Sequence, residues 1–193
     1  MGILVLVLIV SVGLNLYDHF IVIPQMQATI NNMRVQALDA WLGMMQKVNN
    51  ILKQAKTNID VKDAHNHTSW AEPLVHSRLT YGIDVFDDEN RFYYWIYFVT
   101  FHLDEALLTI HFGNQTGPVT ERNLDQNVLR MIENITTTYD NSETKIRSHL
   151  SSNGVEPVQQ LREAGVLADV LIHLEQIYQI SADILNYFNR FGV

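Results

Sequence analysis

Apolar and polar positions along this chain follow two different periods, and the segments are punctuated by four prolines, Pro24, Pro73, Pro118 and Pro157. Proline can open a helix but not continue one, because it lacks the N–H that would bond the carbonyl four residues back. After Pro24, apolar residues recur at Ile30, Met33, Ala37, Trp41, Met44, Val48, Leu52, Ala55 and Ile59, in steps of three and four. That spacing puts them on one face of a helix and predicts a long amphipathic helix opening at Pro24. Asn31, Asn32, Gln46, Asn49, Lys53 and Lys56 fall on the other face. The polar stretch Asp60 to Trp70 reads as a loop.

The period then changes to two. Leu79, Tyr81, Ile83 and Val85 alternate with Thr80, Gly82 and Asp84, as in a half-buried edge strand. Asp87 to Asn90 supplies turn chemistry. Arg91 to Phe101 is apolar at odd and even positions alike, and its aromatic and β-branched residues suit a pleated surface covered on both sides. His102 to Glu105 can reverse the chain, and Leu108, Ile110 and Phe112 alternate again before Gly113. The pattern predicts a three-stranded antiparallel meander with Arg91–Phe101 at its centre. The competing reading makes 88–112 one buried helix, because Asp-Glu-Ala-Leu-Leu at 104–108 is a good helix former.

Beyond Pro118 the spacing is helical. Leu124, Val128, Met131, Ile135 and Tyr139 mark one face, Thr136 to Thr138 weaken the helix, and Asp140 with Glu143 resembles a capping box that restarts it. Ser151 to Gly154 is a break, and Pro157 opens a last helix with Leu161, Ala164, Ala168, Leu171, Tyr178, Leu185 and Phe188 inward. The expected class is α+β: an N-terminal hydrophobic helix, a long amphipathic helix, the meander, and two long C-terminal helices. The alternative is an all-α helical bundle.

At the start of the chain, Ile3 to Leu16 is almost wholly aliphatic. It reads either as a signal peptide cleaved near Ser11-Val12-Gly13, or as a signal anchor that continues through Phe20 to Ile23 with Tyr17, Asp18 and His19 near an interface. Residues 1–23 are therefore expected to be a leader, and 24–193 a single domain outside the cytoplasm, membrane-anchored or secreted.

Charge and composition narrow the function further. The formal net charge is −8, and the 13 Lys and Arg are scattered, with none before Arg34. Nucleic acid binding needs a basic stripe, which is missing. The chain has no cysteine, so disulfides and thiolate chemistry are excluded. Sequence motifs for nucleotide, serine-hydrolase or zinc-peptidase chemistry are absent. His65, His67 and His76 with Asp60 and Asp63 have the residue types of a divalent metal site, but on a loop that places no ligand they read as solvated. Asp169 with His173, and His102 with Glu105, read as ordinary pairs one turn apart on an element. No catalytic residue, cofactor or metal is expected.

Three sequons, at Asn66, Asn114 and Asn134, offer glycan acceptors if the chain enters a glycosylating compartment. The expected function is a non-enzymatic binding or assembly module that pairs with a protein partner or with itself. Trp41, Trp95 and Tyr97 are the expected contact anchors, because Trp and Tyr dominate binding hot spots. The alternatives are a helical-bundle sensor or scaffold, or a carrier of a small apolar ligand in a pocket of the chain's many aromatics.

Overall fold

The computed structural model describes residues 2–79, 88–113 and 118–191. Over these residues the regular structure is helical, and pairing of extended backbone is limited to one antiparallel bridge between Thr57 and Asn123. The chain is all-α.

The N-terminal third is one helical path. Helix α1, Gly2–Tyr17, passes through a π turn at Asp18–Val22 into α2, Ile23–Leu52. The π turn has a local cause. Pro24 has no N–H to offer the carbonyl of Phe20, and the backbone widens there, with the Ile23 N–H bonding Asp18 O five residues back. The sequence expectation that Pro24 starts the amphipathic helix is therefore right about α2, although the helical path runs on upstream of it. Every side chain from Ile9 to Tyr17 is exposed. Among the described residues no helix is long and apolar enough to cross a membrane, and α1 has 16 residues.

From Val35 onward α2 enters a bundle, burying Val35, Ala37, Leu38, Trp41, Leu42, Met45, Val48 and Leu52. Ile30 and Met33, on the predicted apolar face, remain exposed above the bundle. Helix α3, Val61–Leu74, packs beside α2 and continues through a second π turn, Val75–Leu79, just past Pro73. Helix α4, Asp88–Phe112, lies against α3. Helix α5, Gln126–Arg147, is capped by Asp125, whose carboxylate accepts the N–H groups of Asn127 and Val128. The short α6, Pro157–Glu163, leads into α7, Leu167–Phe191, which sits between α4 and α5.

The expected meander is overturned. The stretch read as two strands and a turn is α4, which runs unbroken through Arg91–Phe101 and Leu107–Phe112. The first expected strand, from Leu79, falls almost wholly outside the described residues. On α4 the buried residues are Phe92, Tyr93, Ile96, Val99, Thr100, Leu103, Ala106, Leu107, Ile110 and His111, which recur with a helix's period. The run looked apolar on both faces because the outward positions are aromatic too. Residues 61–70 are not a loop but most of α3, whose inward residues Val61, Ala64, Thr68 and Ala71 are too small or polar to make a conspicuous stripe. Asp140 and Glu143 do not restart a helix, since α5 is continuous. Asp140 instead pairs with Lys53 and accepts from Asn49, and Glu143 accepts from Arg147.

The last helix also differs from expectation. Gly165 at φ +71 ends α6 with Gly165 N–H on Arg162 O and Val166 N–H on Leu161 O, the double bond of a left-handed cap. The break re-phases α7, so that Ala168 faces outward and Val170, Leu174, Ile177 and Ile184 face in.

Trp41 ties the core together. It is 1 % exposed, and its indole N–H donates to Thr100 Oγ1 on α4 at 2.9 Å, while Thr100 donates to Ile96 O at 2.7 Å. On the other side Tyr139 of α5 donates its hydroxyl to Leu42 O at 2.8 Å. Trp41→Ala removes the largest buried side chain and is expected to cost about 3–5 kcal/mol. Urea unfolding followed by far-ultraviolet circular dichroism measures it.

Candidate functional site

The outward face of α4 is built by the same helical spacing that fills the core. Positions 94, 98, 101, 105, 108 and 112 fall on one line along the helix, and all but Glu105 are apolar. Phe98 is 41 % exposed, and Leu108 and Phe112 are similarly open. Around Phe98 the rings interlock. Trp95 meets Tyr178 of α7 edge-on with centroids 5.5 Å apart, His102 meets the same tyrosine at 4.7 Å, and Tyr97 stacks on Phe101 at 6.2 Å. His76, in the π turn after α3, reaches Tyr97 at 6.2 Å. Edge-to-face packing of this kind fixes ring orientation and leaves Phe98 standing in a rigid aromatic frame.

Two of the three expected anchors, Trp95 and Tyr97, lie in this frame, half-buried on either side of Phe98. Trp41 does not: it is core, and a partner cannot reach it in this fold. Phe98 itself was not singled out from sequence, because a strand reading gives no reason to separate it from its neighbours. The signal that finds it is the 94-98-101-105-108-112 spacing.

The polar groups of the site region are structural in their geometry. Asp104 of α4 accepts from Thr68 Oγ1 at 2.6 Å and Ser69 Oγ at 2.9 Å, both on α3. His65 Nδ1 comes within 2.9 Å of the same oxygen but without the alignment of a hydrogen bond. A nucleophilic serine needs a base to take its proton. Here the Ser69 proton points at the carboxylate and the histidine does not stand between them, so the cluster latches α3 to α4. His102 Nδ1 is 3.6 Å from Glu105. Lys145 pairs with Asp169 and holds its carboxyl below the usual value, while burial holds His173 below the usual imidazole value. Among the described residues no three His, Asp or Glu gather where they could hold a metal. The half-open void between α2, α4, α5 and α7, lined by Met45, Leu103, Ile135, Tyr139 and Ile177 among others, is about 10 Å³, enough for no more than a water. A small apolar ligand does not fit in it.

Of the sequons, Asn114 lies outside the described residues. Asn66 and Asn134 are exposed on α3 and α5, not on the loop expected for Asn66. Their partner hydroxyls, Thr68 and Thr136, are buried.

One carboxylate is held in an unusual state. Glu156 caps α6 by accepting from the Gln159 N–H, and it receives the hydroxyl of buried Tyr93, with Arg34 of α2 at 4.0 Å. Arg34 also lies 5.5 Å over the Tyr93 ring. Burial outweighs these partners and raises the Glu156 carboxyl above its usual 4.5. The folded state therefore binds this proton more tightly than the unfolded chain. Its contribution to stability is fully present below about pH 4.5 and is lost as pH rises through the raised value. Glu156→Gln keeps an acceptor for Tyr93 and for the cap but cannot ionise. The urea midpoint of the Gln variant relative to the parent is expected to rise as pH climbs above about 4.5 and to level off once the raised value is passed, and a difference constant with pH would show that Glu156 does not titrate abnormally.

Comparison with protein families, with characterised proteins and with solved structures finds no match to this chain.

Proposed function

We propose that this chain is a helical-bundle scaffold, tethered to a membrane by its N-terminal helix and presenting the aromatic face of α4 to a protein partner. The observation that carries the reading is the helical path from α1 into α2. Its first part is apolar but for Ser11 and Asn15, and every side chain from Ile9 to Tyr17 is exposed. A soluble surface rarely leaves so much contiguous apolar area open.

α1 alone is short for a bilayer crossing. With the π turn, Gly2–Val22 reaches about 30 Å at ~1.5 Å per residue, close to the ~30 Å of a hydrocarbon core. On that path Asp18 lies at about 24 Å, roughly one turn short of the far end, so its charge sits just inside the headgroup boundary and not at the bilayer centre, where the cost would be greatest. The absence of Lys and Arg before Arg34 means that insertion depends on apolar burial and not on attraction to anionic lipid. At the far end of the path, the bundle displays Phe98 in its ring of Trp95, Tyr97 and Tyr178, an arrangement of the kind that anchors protein interfaces. A side of the membrane outside the cytoplasm fits the leader reading, and glycans on Asn66 and Asn134 would report it.

Full-length protein is expected to float with phosphatidylcholine vesicles in a density gradient and to resist extraction by alkaline carbonate. Chain lacking residues 2–23 is expected to stay at the bottom of the gradient with its helical spectrum intact, and a full-length chain that fails to float sinks the tether. Phe98→Arg is expected to cost about 1 kcal/mol of stability, from its lost contacts with Trp95 and Tyr178, while abolishing stoichiometric co-purification of a partner. Undiminished co-purification by that variant would remove α4 from the account.

A further inference from the structure

The turn between α5 and α6 carries the one Asn-Gly pair of the sequence, Asn153-Gly154. This turn is tied from two sides. Buried Gln160 of α6 accepts the Ser151 N–H at 2.8 Å and donates to the carbonyls of Ser151 and Val155 at 3.0 and 2.8 Å. From the other side, the upper turns of α2 hold both backbone polar groups of Gly154. Its N–H donates to Asn32 Oδ1 and its carbonyl accepts from Asn31 Nδ2, each at 2.9 Å. Gly154 takes φ +81, and a Cβ there would meet the Ala28 methyl at 3.1 Å, so glycine is what brings the backbone this close to α2. Asn153 is exposed at the tip of the turn, and its Oδ1 accepts the Val155 N–H at 3.0 Å.

An Asn-Gly pair can react with itself. The glycine nitrogen gives up its proton to water and bonds the asparagine Cγ. The Cγ–Nδ2 bond breaks, ammonia leaves, and a succinimide ring is closed. Water then opens the ring at either carbonyl, giving aspartate on the ordinary backbone or isoaspartate, whose main chain runs through the former side chain. One water is consumed and one ammonia released, and no oxidant or reductant takes part. Glycine favours the reaction because no side chain shields its nitrogen.

From this arrangement we infer that Asn153 is a site of spontaneous deamidation to aspartate and isoaspartate, and that Asn32 of α2 sets its rate by holding the Gly154 N–H. The electrophile is prepared, because the Val155 N–H points at Oδ1, the atom on which negative charge builds as Cγ is attacked. The nucleophile is withheld. The proton that must leave is the one that Asn32 accepts, and the nitrogen of a succinimide carries none. The hydrogen bond and the reaction therefore exclude each other, and Asn153 reacts only when the turn lifts off α2. Either product adds a carboxylate to a chain whose net charge is already −8, and isoaspartate lengthens the main chain beside Gly154. A transient parting of turn and helix is thereby made permanent.

Full-length protein is incubated at mildly alkaline pH, folded or unfolded in urea, and conversion at Asn153 is followed by peptide mass mapping and by isoaspartate-specific methyl labelling. Folded parent is expected to convert at least about fivefold more slowly than the unfolded chain. Asn32→Ala replaces a half-buried helical residue by the best helix former, and its far-ultraviolet circular dichroism is expected to match the parent's. That variant is expected to convert at least about fivefold faster than folded parent, a difference of ~1 kcal/mol. Asn32→Asp keeps an acceptor for the Gly154 N–H and is expected to convert at the parent's rate. Absence of conversion at Asn153 even in urea overturns the site. Folded parent that converts as fast as unfolded chain overturns the restraint, whatever the variants do. An Asn32→Ala variant no faster than the parent, or an Asn32→Asp variant as fast as Asn32→Ala, overturns the role of Asn32.

Discussion

The hydrogen bond from the Trp41 indole to the Thr100 hydroxyl fixes the two helices on which the others lean. Apolar packing between α2 and α4 is non-directional and would tolerate sliding. A buried indole N–H is less permissive, because leaving it without an acceptor costs about 1–3 kcal/mol. The remaining helices are latched in the same style. α3 is held to α4 by the hydroxyls on Asp104, and α5 to α2 by the Tyr139 hydroxyl on Leu42 O and by Asp140 on Asn49 and Lys53. Away from the bundle's long helices, Asn58 does similar work. Fully buried, it donates to His111 O and Thr120 O and accepts from the Arg122 N–H, so that the segment leading into α5 is pinned to the end of α4. A largely aliphatic and aromatic core thus receives its register from a handful of polar contacts.

What the sequence revealed depended on how much of each helix is buried. α2 and α5 each pack on part of their circumference, and their apolar stripes at steps of three and four could be read directly, as could the openings at Pro24 and Pro157. α4 packs against α3 and α7 and faces Trp41, and its exposed side is aromatic as well, so no polar face remained to reveal the helical period. The better clue lay at 102–105. His-Leu-Asp-Glu contains no Gly, Pro or Asn, and a tight reversal between two strands normally demands one. α3 failed in the opposite sense: its inward face of Val, Ala and Thr is too slight to stand out against His65, Asn66 and His67. Gly165 carried the signal for the break before α7, and Pro157 drew attention away from it.

The aromatic surface was half legible. Trp95 and Tyr97 can be picked out as interface-prone residue types, but type does not distinguish a residue on a rim from one in a core. Trp41 has the same chemistry and is enclosed by the bundle. Exposure is decided by which helices flank which, and that information is not local to any stretch of the chain. The N-terminal helix is the converse case. Its composition marks it as apolar, and the structure adds that its side chains from Ile9 to Tyr17 lie exposed.

α2 belongs to both worlds at once. Its upper turns expose Ile23, Met26, Ile30 and Met33 and touch the Gly154 turn on the other side, and its lower turns line the core, with no loop, glycine or proline between Gln25 and Leu52 other than Gly43, which lies within the buried half of the helix. There is accordingly no swivel between the two parts. A helix resists twisting about its own axis, because each residue's azimuth is fixed to the next at about 100°. Whatever azimuth is imposed on Ile30 is imposed on Trp41, eleven residues along, and the indole meets Thr100 at only one such setting. The upper turns and the packed core share a single rotational coordinate, so the core acts as a keyway that dictates which flank of those turns faces outward.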